Sequence, residues 1–393
     1  MPETGKPPRI AVIVRRFGAQ FGGLEAYAEN LVRELRHEYD LHVFCQEWES
    51  DLPVPHTIVP RIEGAPSWLN LLDFTWRCQK LAKGFDIVHS HENSWLGDVH
   101  SVHMMPVRYS RYHHRAGWKR SLSTWMNPRL LVYLTMEAMR YRKKAKRRIV
   151  AVSPLTLEQI EIAYRRHPPA TIIAPAVHVP QTEMSRGEGL DALGLPHDRH
   201  HALLVAHDPA RKGLTTLLAA LPLVSAKVDL IVVGGRDDLA IRNRALVAAA
   251  GQAGRVHIWP RQKDLGVFYA AADVCVFPTT GDAFGMVPLE AASHGCPTIV
   301  SSKRHCGFAH YVTPEIDALV LENPTDPVAL AGAIDRLFTD PALYERVARN
   351  GKSLALGMGW DRAAQSYSRL YQTILAGEEP GTTALPIDHR LAT

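Results

Sequence analysis

Cysteine is scarce in this chain: five are present among 393 residues, at Cys45, Cys78, Cys275, Cys296 and Cys306. The number is odd, and no two stand in a C-x2-C spacing. The pattern excludes a disulfide framework and reads as free, buried thiols of a reducing compartment. No apolar run approaches the roughly 20 residues that span a bilayer. Residues 1–6 lack the apolar core of a signal peptide, so the expected location is the cytoplasm. There is no solenoid-type repeat. The one Gly-Gly pair that opens a helix is not a G-x-G-x-x-G fingerprint, which weakens a dinucleotide reading. No metal-ligand spacing is evident either, and Asp237 and Asp238 read as a surface turn.

What is present is ordinary globular composition, 46% hydrophobic and 22% charged, in a chain long enough for two or three domains. Buried strands are expected at 9–14, 41–45, 86–90 and 148–153. Between the first two, Leu24, Tyr27, Ala28, Leu31 and Leu35 recur at helical spacing. The pattern then restarts, with strands at 202–206, 228–235, 256–259, 274–277 and 297–300 and a helix over 214–223. Strands alternating with helices predict parallel sheets in two doubly wound α/β domains facing a cleft. The expected boundaries are 1–176 and 177–358 for the two Rossmann-like domains. A crossover helix over 359–376 and a disordered tail over 377–393 follow. Residues 177–195, polar and proline-bearing, read as a linker.

The most informative stretch is 280–295. Asp282 and Glu290 stand eight residues apart, with Phe284-Gly285 between them and Pro288 where a helix would begin. An apolar strand precedes. A strand, a Gly-containing loop and a helix start aim backbone N–H groups at an anion. Proline suits the first helical position, where its missing N–H would be unpaired anyway. The two acids can accept hydrogen bonds from hydroxyls while the loop holds phosphate. A ligand with both hydroxyls and phosphates is a nucleotide sugar. Arg211-Lys212-Gly213 follow the first strand of the second half, and two adjacent cations there can bind a diphosphate. Gly22-Gly23 open the first helix, where glycine lets a ligand approach the backbone.

Charge is concentrated elsewhere. Residues 108–148 hold 13 of the 45 Lys and Arg and a single acid, Glu137. The stretch is about +12 while the remainder is about −7. Trp118, Trp125, Tyr109, Tyr112, Tyr133 and Tyr141 are interleaved. Such a patch attracts lipid headgroups, a phosphorylated glycolipid or nucleic acid. No nucleic-acid-binding signature accompanies it.

The 280–295 segment resembles the paired-acid motif (E-x7-E) of retaining GT-B glycosyltransferases, glycosyltransferase family four, with Asp282 in place of the first Glu. The resemblance implies that Glu290 faces the donor ribose, Asp282 the donor sugar, and Arg211 and Lys212 the departing diphosphate. It also implies that Phe284, Gly285 and Met286 offer N–H groups to the phosphates and that Gly23 lies near them. Residues 98–105 look like the family's strand-end histidine loop, with His103 aligning best and His100 second. His103 would donate to a sugar hydroxyl or position the acceptor. Phe21 to Glu25, Gln46 to Glu49 and Cys306 to Tyr311 are similar to bacterial lipopolysaccharide core heptose glucosyltransferases. The implied activity is metal-independent, cofactor-free transfer of a hexose from a nucleotide sugar, UDP-glucose first, to a phosphorylated lipid-linked glycan. The implied place is the inner face of the cytoplasmic membrane. Two other classes fit the same residues: a sugar-nucleotide epimerase of the same fold, and a non-catalytic anionic-lipid or nucleic-acid binding protein.

Overall fold

The computed structural model describes residues 6–113, 124, 126–178, 180, 184–235, 243–244 and 246–378. They divide into two compact units. One comprises the chain up to Pro175 together with the last helix, Trp360–Leu375; the other is Ala176–Gly359. The Asp237-Asp238 turn lies outside the described residues, and so does the expected tail apart from Gly377 and Glu378.

In the first unit the strands are β1 (Arg9–Ile13), β2 (Arg16–Phe17), β3 (Asp40–Cys45), β4 (Glu47–Trp48), β5 (His56–Ile58), β6 (Ile87–Ser90), β7 (Val99–Val102), β8 (Arg148–Ala151) and β9 (Ala170–Ile172). Seven form one parallel sheet in the order β5-β3-β1-β6-β7-β8-β9, and β2 and β4 make a short ladder of their own. Strands such as β1 read as continuous apolar runs because a parallel sheet is covered on both faces. The helix Gly23–Leu35 buries Tyr27, Ala28, Leu31, Val32 and Leu35, the stripe that its spacing predicts.

The second unit repeats the plan. Its strands are β10 (His200–Val205), β11 (Val228–Val233), β12 (Val256–Trp259), β13 (Val274–Phe277), β14 (Thr298–Ser301) and β15 (Leu319–Leu321). They form a parallel sheet ordered β12-β11-β10-β13-β14-β15. In both sheets the chain winds outward from the first strand, then jumps back and winds the other way. The reversal falls between β1 and β6 and between β10 and β13. Loops leaving the carboxyl ends of such neighbours diverge, and the crevice between them is where ligands bind in sheets of this order.

Two expectations need correction here. Residues 177–195 are not plain linker, because they contain the helix Arg186–Leu193. Ser185 and Glu188 form a reciprocal capping box at its start, and Gly194 ends it at φ 65°. Only Gly189 and Leu190 are buried in it, so the segment shows no apolar periodicity. The helix expected over 214–223 is α-helical over Leu214–Ala220 and then a 3-10 turn over Leu221–Leu223. Pro222 accounts for the change, since it supplies no N–H to continue the α ladder. The five thiols are all free and buried, as expected. Among the described residues no helix is long and apolar enough to cross a membrane.

The last helix is fastened to the first unit by a line of buried polar groups. Tyr371 Oη lies 2.6 Å from His89 Nδ1, and His89 Nε2 lies 2.8 Å from Ser101 Oγ. Ser101 Oγ lies 2.7 Å from Tyr367 Oη, which takes the Tyr27 hydroxyl at 3.0 Å. Each group is satisfied by the next, so burial costs little. Burial also holds the imidazoles of His89 and His100 well below the ordinary histidine value and that of His91 down at about 3. Below about 6.5 the unfolded chain therefore binds protons that the folded unit refuses. Stability should fall as the pH drops from 7 to 5, approaching roughly 1.4 kcal/mol per pH unit for each such histidine once the pH is well below about 6.5. Thermal denaturation at pH 7, 6 and 5 measures it; a melting temperature that holds level over that range would contradict the burial of these rings.

Candidate functional site

The reversal in the second sheet decides which loops meet. The loop after β10 carries Arg211, Lys212 and Gly213. The loop after β13 carries Asp282, Phe284 and Gly285, and leads into the helix Met286–Ser293. Lys212 Nζ stands 2.5 Å from Asp282 Oδ2 and 3.4 Å from the Gly281 carbonyl, in a residue only 9% exposed. The other Asp282 oxygen accepts the Phe284 N–H at 3.2 Å. Asp282 is itself held by its backbone, which donates to the His305 carbonyl at 2.8 Å and accepts from Gly307 at 3.2 Å.

Two glycines let these loops pack closely against their neighbours. Gly213 has φ 100°, and a Cβ there would meet Pro278 Cγ at 2.4 Å. Gly285, the N-cap, has φ 99°, and a Cβ would meet Cys306 Sγ at 2.8 Å. An L side chain at either position meets both a strained backbone and a clash. Phe284 is buried beside Phe308 and Tyr311, and its carbonyl takes the Phe308 N–H at 2.5 Å. The first-turn N–H groups of the helix have no acceptor within the helix.

The helix begins two residues earlier than expected. Pro288 is its third residue, not its first. The substitution of position is harmless, because the third N–H of a helix also lacks an intrahelical partner. Glu290 is the fifth residue. Its Oε2 accepts the Tyr269 hydroxyl at 2.8 Å, and burial pushes its carboxyl above the usual range while that hydrogen bond pulls it back. Arg211 stays exposed; its backbone N–H faces Asp208 Oδ1 at 3.4 Å. The structure thus brings Lys212, Asp282 and the Phe284-Gly285-Met286 turn together, and leaves the Arg211 side chain at the surface.

Tyr269 was not singled out from the sequence. Neither were Lys303 and Arg304, which are exposed on the loop after β14. That loop is joined to Asp282 through a bridge at Cys306. The signal available for the second pair was three consecutive basic residues, Lys303-Arg304-His305, directly after a buried strand.

In the first unit, Gly23 opens the helix Gly23–Leu35 behind the N-cap Gly22. A Cβ on Gly23 would meet nothing within 4 Å, so the protein's own packing does not require glycine there. His103 follows β7. Its Nε2 lies 3.0 Å from His91 Nδ1, and its ring stands edge-on to Tyr27 with centroids 4.6 Å apart. Burial, reinforced by His91 and Arg140, holds His103 well below the ordinary value. The ring is neutral at pH 7, and Nδ1 is the nitrogen not committed to His91. His100 is buried within β7.

The basic stretch is less of a surface than its count suggests. Arg140 donates to the Ser101 carbonyl at 2.6 Å, Arg147 to those of Met139 and Trp95 at 2.6 Å each, and Arg148 to that of Ala145 at 2.8 Å. All three are buried. Composition cannot separate such carbonyl-binding arginines from solvated ones. Glu137 is buried too, accepting the Val107 and Arg108 N–H groups at 2.5 and 3.0 Å. Arg129, Arg142, Lys143, Lys144 and Lys146 are exposed, as are Met104 and Met126. Arg115, Trp118, Lys119, Arg120 and Trp125 lie outside the described residues. Among the described residues no group of three or more His, Cys, Asp or Glu is placed to hold a metal ion.

Known proteins share this architecture. Residues 21–179 match the family model Glycosyltransferase Family 4, and residues 199–340 match Glycosyl transferases group 1. The chain is similar to the D-inositol 3-phosphate glycosyltransferase of Xylanimonas cellulosilytica, 29% identical over 198 residues, 49% of this chain and 47% of that protein. The enzyme of that name from Acidothermus cellulolyticus is 31% identical over 204 residues, 49% and 45% of the two chains. The chain therefore spans about half the length of the curated relatives it matches. Among solved structures, WaaG, a glycosyltransferase involved in lipopolysaccharide biosynthesis, superposes with a TM-score of 0.80 at 20% identity, over 92% of this chain and 99% of that one. Anabaena HepE in complex with UDP and glucose gives 0.74 at 14% identity, over 93% and 99%. With two parallel-sheet α/β units of this order and matches to both family models, the chain belongs to the GT-B glycosyltransferases.

Proposed function

We propose that the chain is a retaining glycosyltransferase that moves a hexose from a UDP-sugar, UDP-glucose first, to a phosphorylated lipid-linked glycan such as core heptose. The observation that carries the reading is the Lys212–Asp282 pair at the start of the Met286–Ser293 helix. Asp282 holds a cation and the Phe284 N–H, two groups suited to a diphosphate. On donor binding the diphosphate replaces the carboxylate there, and Asp282 turns to the donor sugar. UDP and UDP-glucose complexes of HepE support a uridine donor. The part of WaaG in lipopolysaccharide biosynthesis supports the acceptor class.

In the reaction the bond from the anomeric carbon to the β-phosphate oxygen breaks, and a bond from that carbon to the acceptor oxygen forms on the same face. The acceptor proton passes to the departing diphosphate. Lys212, Arg211 and the Gly285 and Met286 N–H groups neutralise the leaving charge, the largest catalytic contribution in sites of this kind. Glu290 accepts from the ribose. In the first unit, Gly23 is assigned to the diphosphate and the neutral His103 to a sugar hydroxyl or the acceptor. No cofactor or metal is assigned, since fixed cations and N–H groups supply what a divalent ion would. The exposed cations Arg142, Lys143, Lys144 and Lys146, with Met104 and Met126, are assigned to an anionic membrane surface at the cytoplasmic face.

UDP release with and without acceptor tests the reaction. Release that requires acceptor supports transfer; conversion of the donor sugar with no acceptor would favour an epimerase. Lys212→Ala should slow transfer by ~2–4 kcal/mol of barrier while weakening donor binding less. Asp282→Asn should bind free UDP more tightly than wild type, because Lys212 no longer has an internal anion, yet transfer more slowly. Calorimetry on the two variants decides: weaker UDP binding by Asp282→Asn would make the carboxylate a structural tie, not a stand-in for the ligand.

Membrane docking has its own test. Each surface cation contributes about 1 kcal/mol near an anionic membrane, and salt screens it. Reversing Arg142, Lys143, Lys144 and Lys146 to Glu should release the protein from anionic vesicles and leave transfer to a soluble acceptor fragment intact. Co-sedimentation at rising salt measures it. Binding indifferent to salt, or equal binding to neutral vesicles, would count against an electrostatic dock.

A further inference from the structure

Glu290 does not meet its surroundings evenly. Oε2 is committed to the Tyr269 hydroxyl at 2.8 Å, while Oε1 is left without such a tie. Tyr269 is only 3% exposed. Its ring lies tilted on His294 with centroids 5.1 Å apart, and it packs in the core cluster that includes Cys275, Ala291 and Cys296. A ring in a close-packed core cannot swing without moving its neighbours, so the direction of its O–H is set by the fold.

We propose that Tyr269 is a positioning residue for the nucleotide ribose: by holding one oxygen of Glu290 it presents the other to the paired ribose hydroxyls. This deepens the donor-site reading above and rests on it. An ionised carboxylate has about four lone-pair sites on two oxygens, enough for the phenol and both hydroxyls together. An unheld Glu290 would have to order its side chain when the nucleotide binds, and affinity would fall by that cost.

The charged form is the one that accepts all three hydrogen bonds. Burial disfavours it, and the Tyr269 bond offsets part of that cost. The groups facing Glu290 are the Tyr269 hydroxyl and the Cys275 thiol of β13; behind the Tyr269 ring stands His294, the residue that ends Glu290's helix, with Asp264 and Lys352 near it. Burial raises the first two well above neutrality and lowers His294. All three are therefore uncharged at pH 7, and Tyr269 stays a donor.

The test compares UDP with 2′,3′-dideoxy-UDP, by calorimetry on the full chain, for wild type and Tyr269→Phe. Wild type should prefer UDP. Tyr269→Phe should weaken UDP roughly tenfold, as expected for a hydrogen bond to a charged group, and leave the dideoxy compound unchanged. In the variant, loss of UDP affinity on acidification should also begin at a higher pH, because Glu290 has lost the donor that favours its ionised form. Phe keeps the ring, so the melting temperature reports any general damage. Glu290→Gln should lose the same preference without touching Tyr269. Equal weakening of both ligands in Tyr269→Phe, or of neither, overturns the proposal. Wild type that does not bind UDP, or does not distinguish the two ligands, overturns the ribose reading of Glu290 and the proposal with it.

Discussion

A lysine ammonium and an aspartate carboxylate 2.5 Å apart tie together the two loops that leave β10 and β13. The proposed donor site is built around that tie. Gly213 leaves no room for a side chain against Pro278 at the end of β13, and Gly285 none against Cys306 on the loop after β14. Phe284 is sunk between Phe308 and Tyr311 so that the turn can reach the helix start. A partly buried ion pair adds little net stability, since desolvation offsets most of the attraction. Its consequence is chemical: one carboxylate keeps a cation and a loop N–H in place, and the proposed diphosphate would take them over.

Much of the fold was legible because the chemistry is local. The runs Ile10–Ile13 in β1, Ala202–Val205 in β10, Leu230–Val233 in β11 and Val274–Phe277 in β13 are apolar, as strands covered on both faces should be. Of the strands that escaped notice, β5 and β9 are three residues long and half-exposed at the sheet edges, and show neither a run nor an alternation. β2 and β4 are two residues each, β15 is three, and β7 lies within the 98–105 segment that reads as a histidine loop. The Arg186–Leu193 helix escaped for a related reason: it buries one glycine and one leucine, and its only marks were Ser185, Glu188 and Gly194.

The site was legible by its residue types and not by its pairings. Lys212 and Asp282 are 70 residues apart, and only the order of strands shows that their loops are neighbours. The Tyr269–Glu290 bond links the short helix Gly266–Ala271, which precedes β13, to the helix Met286–Ser293, which follows it, and nothing in an apolar Val-Phe-Tyr-Ala-Ala run marks its tyrosine as polar in use. The basic stretch shows the opposite error. Arg140, Arg147 and Arg148 count as surface charge in the sequence and serve as carbonyl ligands in the fold. The first unit adds a polar line from Tyr27 through Tyr367, Ser101 and His89 to Tyr371, by which the end of the chain is held to its beginning.

The central claim is that the Lys212–Asp282 pair stands where a donor diphosphate binds. The direct measurement is a crystal structure of the chain with UDP. The account requires the β-phosphate on Lys212 and the first-turn N–H groups, the ribose hydroxyls on Glu290, and Asp282 displaced from Lys212. UDP bound elsewhere, or bound with the Lys212–Asp282 pair intact, would contradict it.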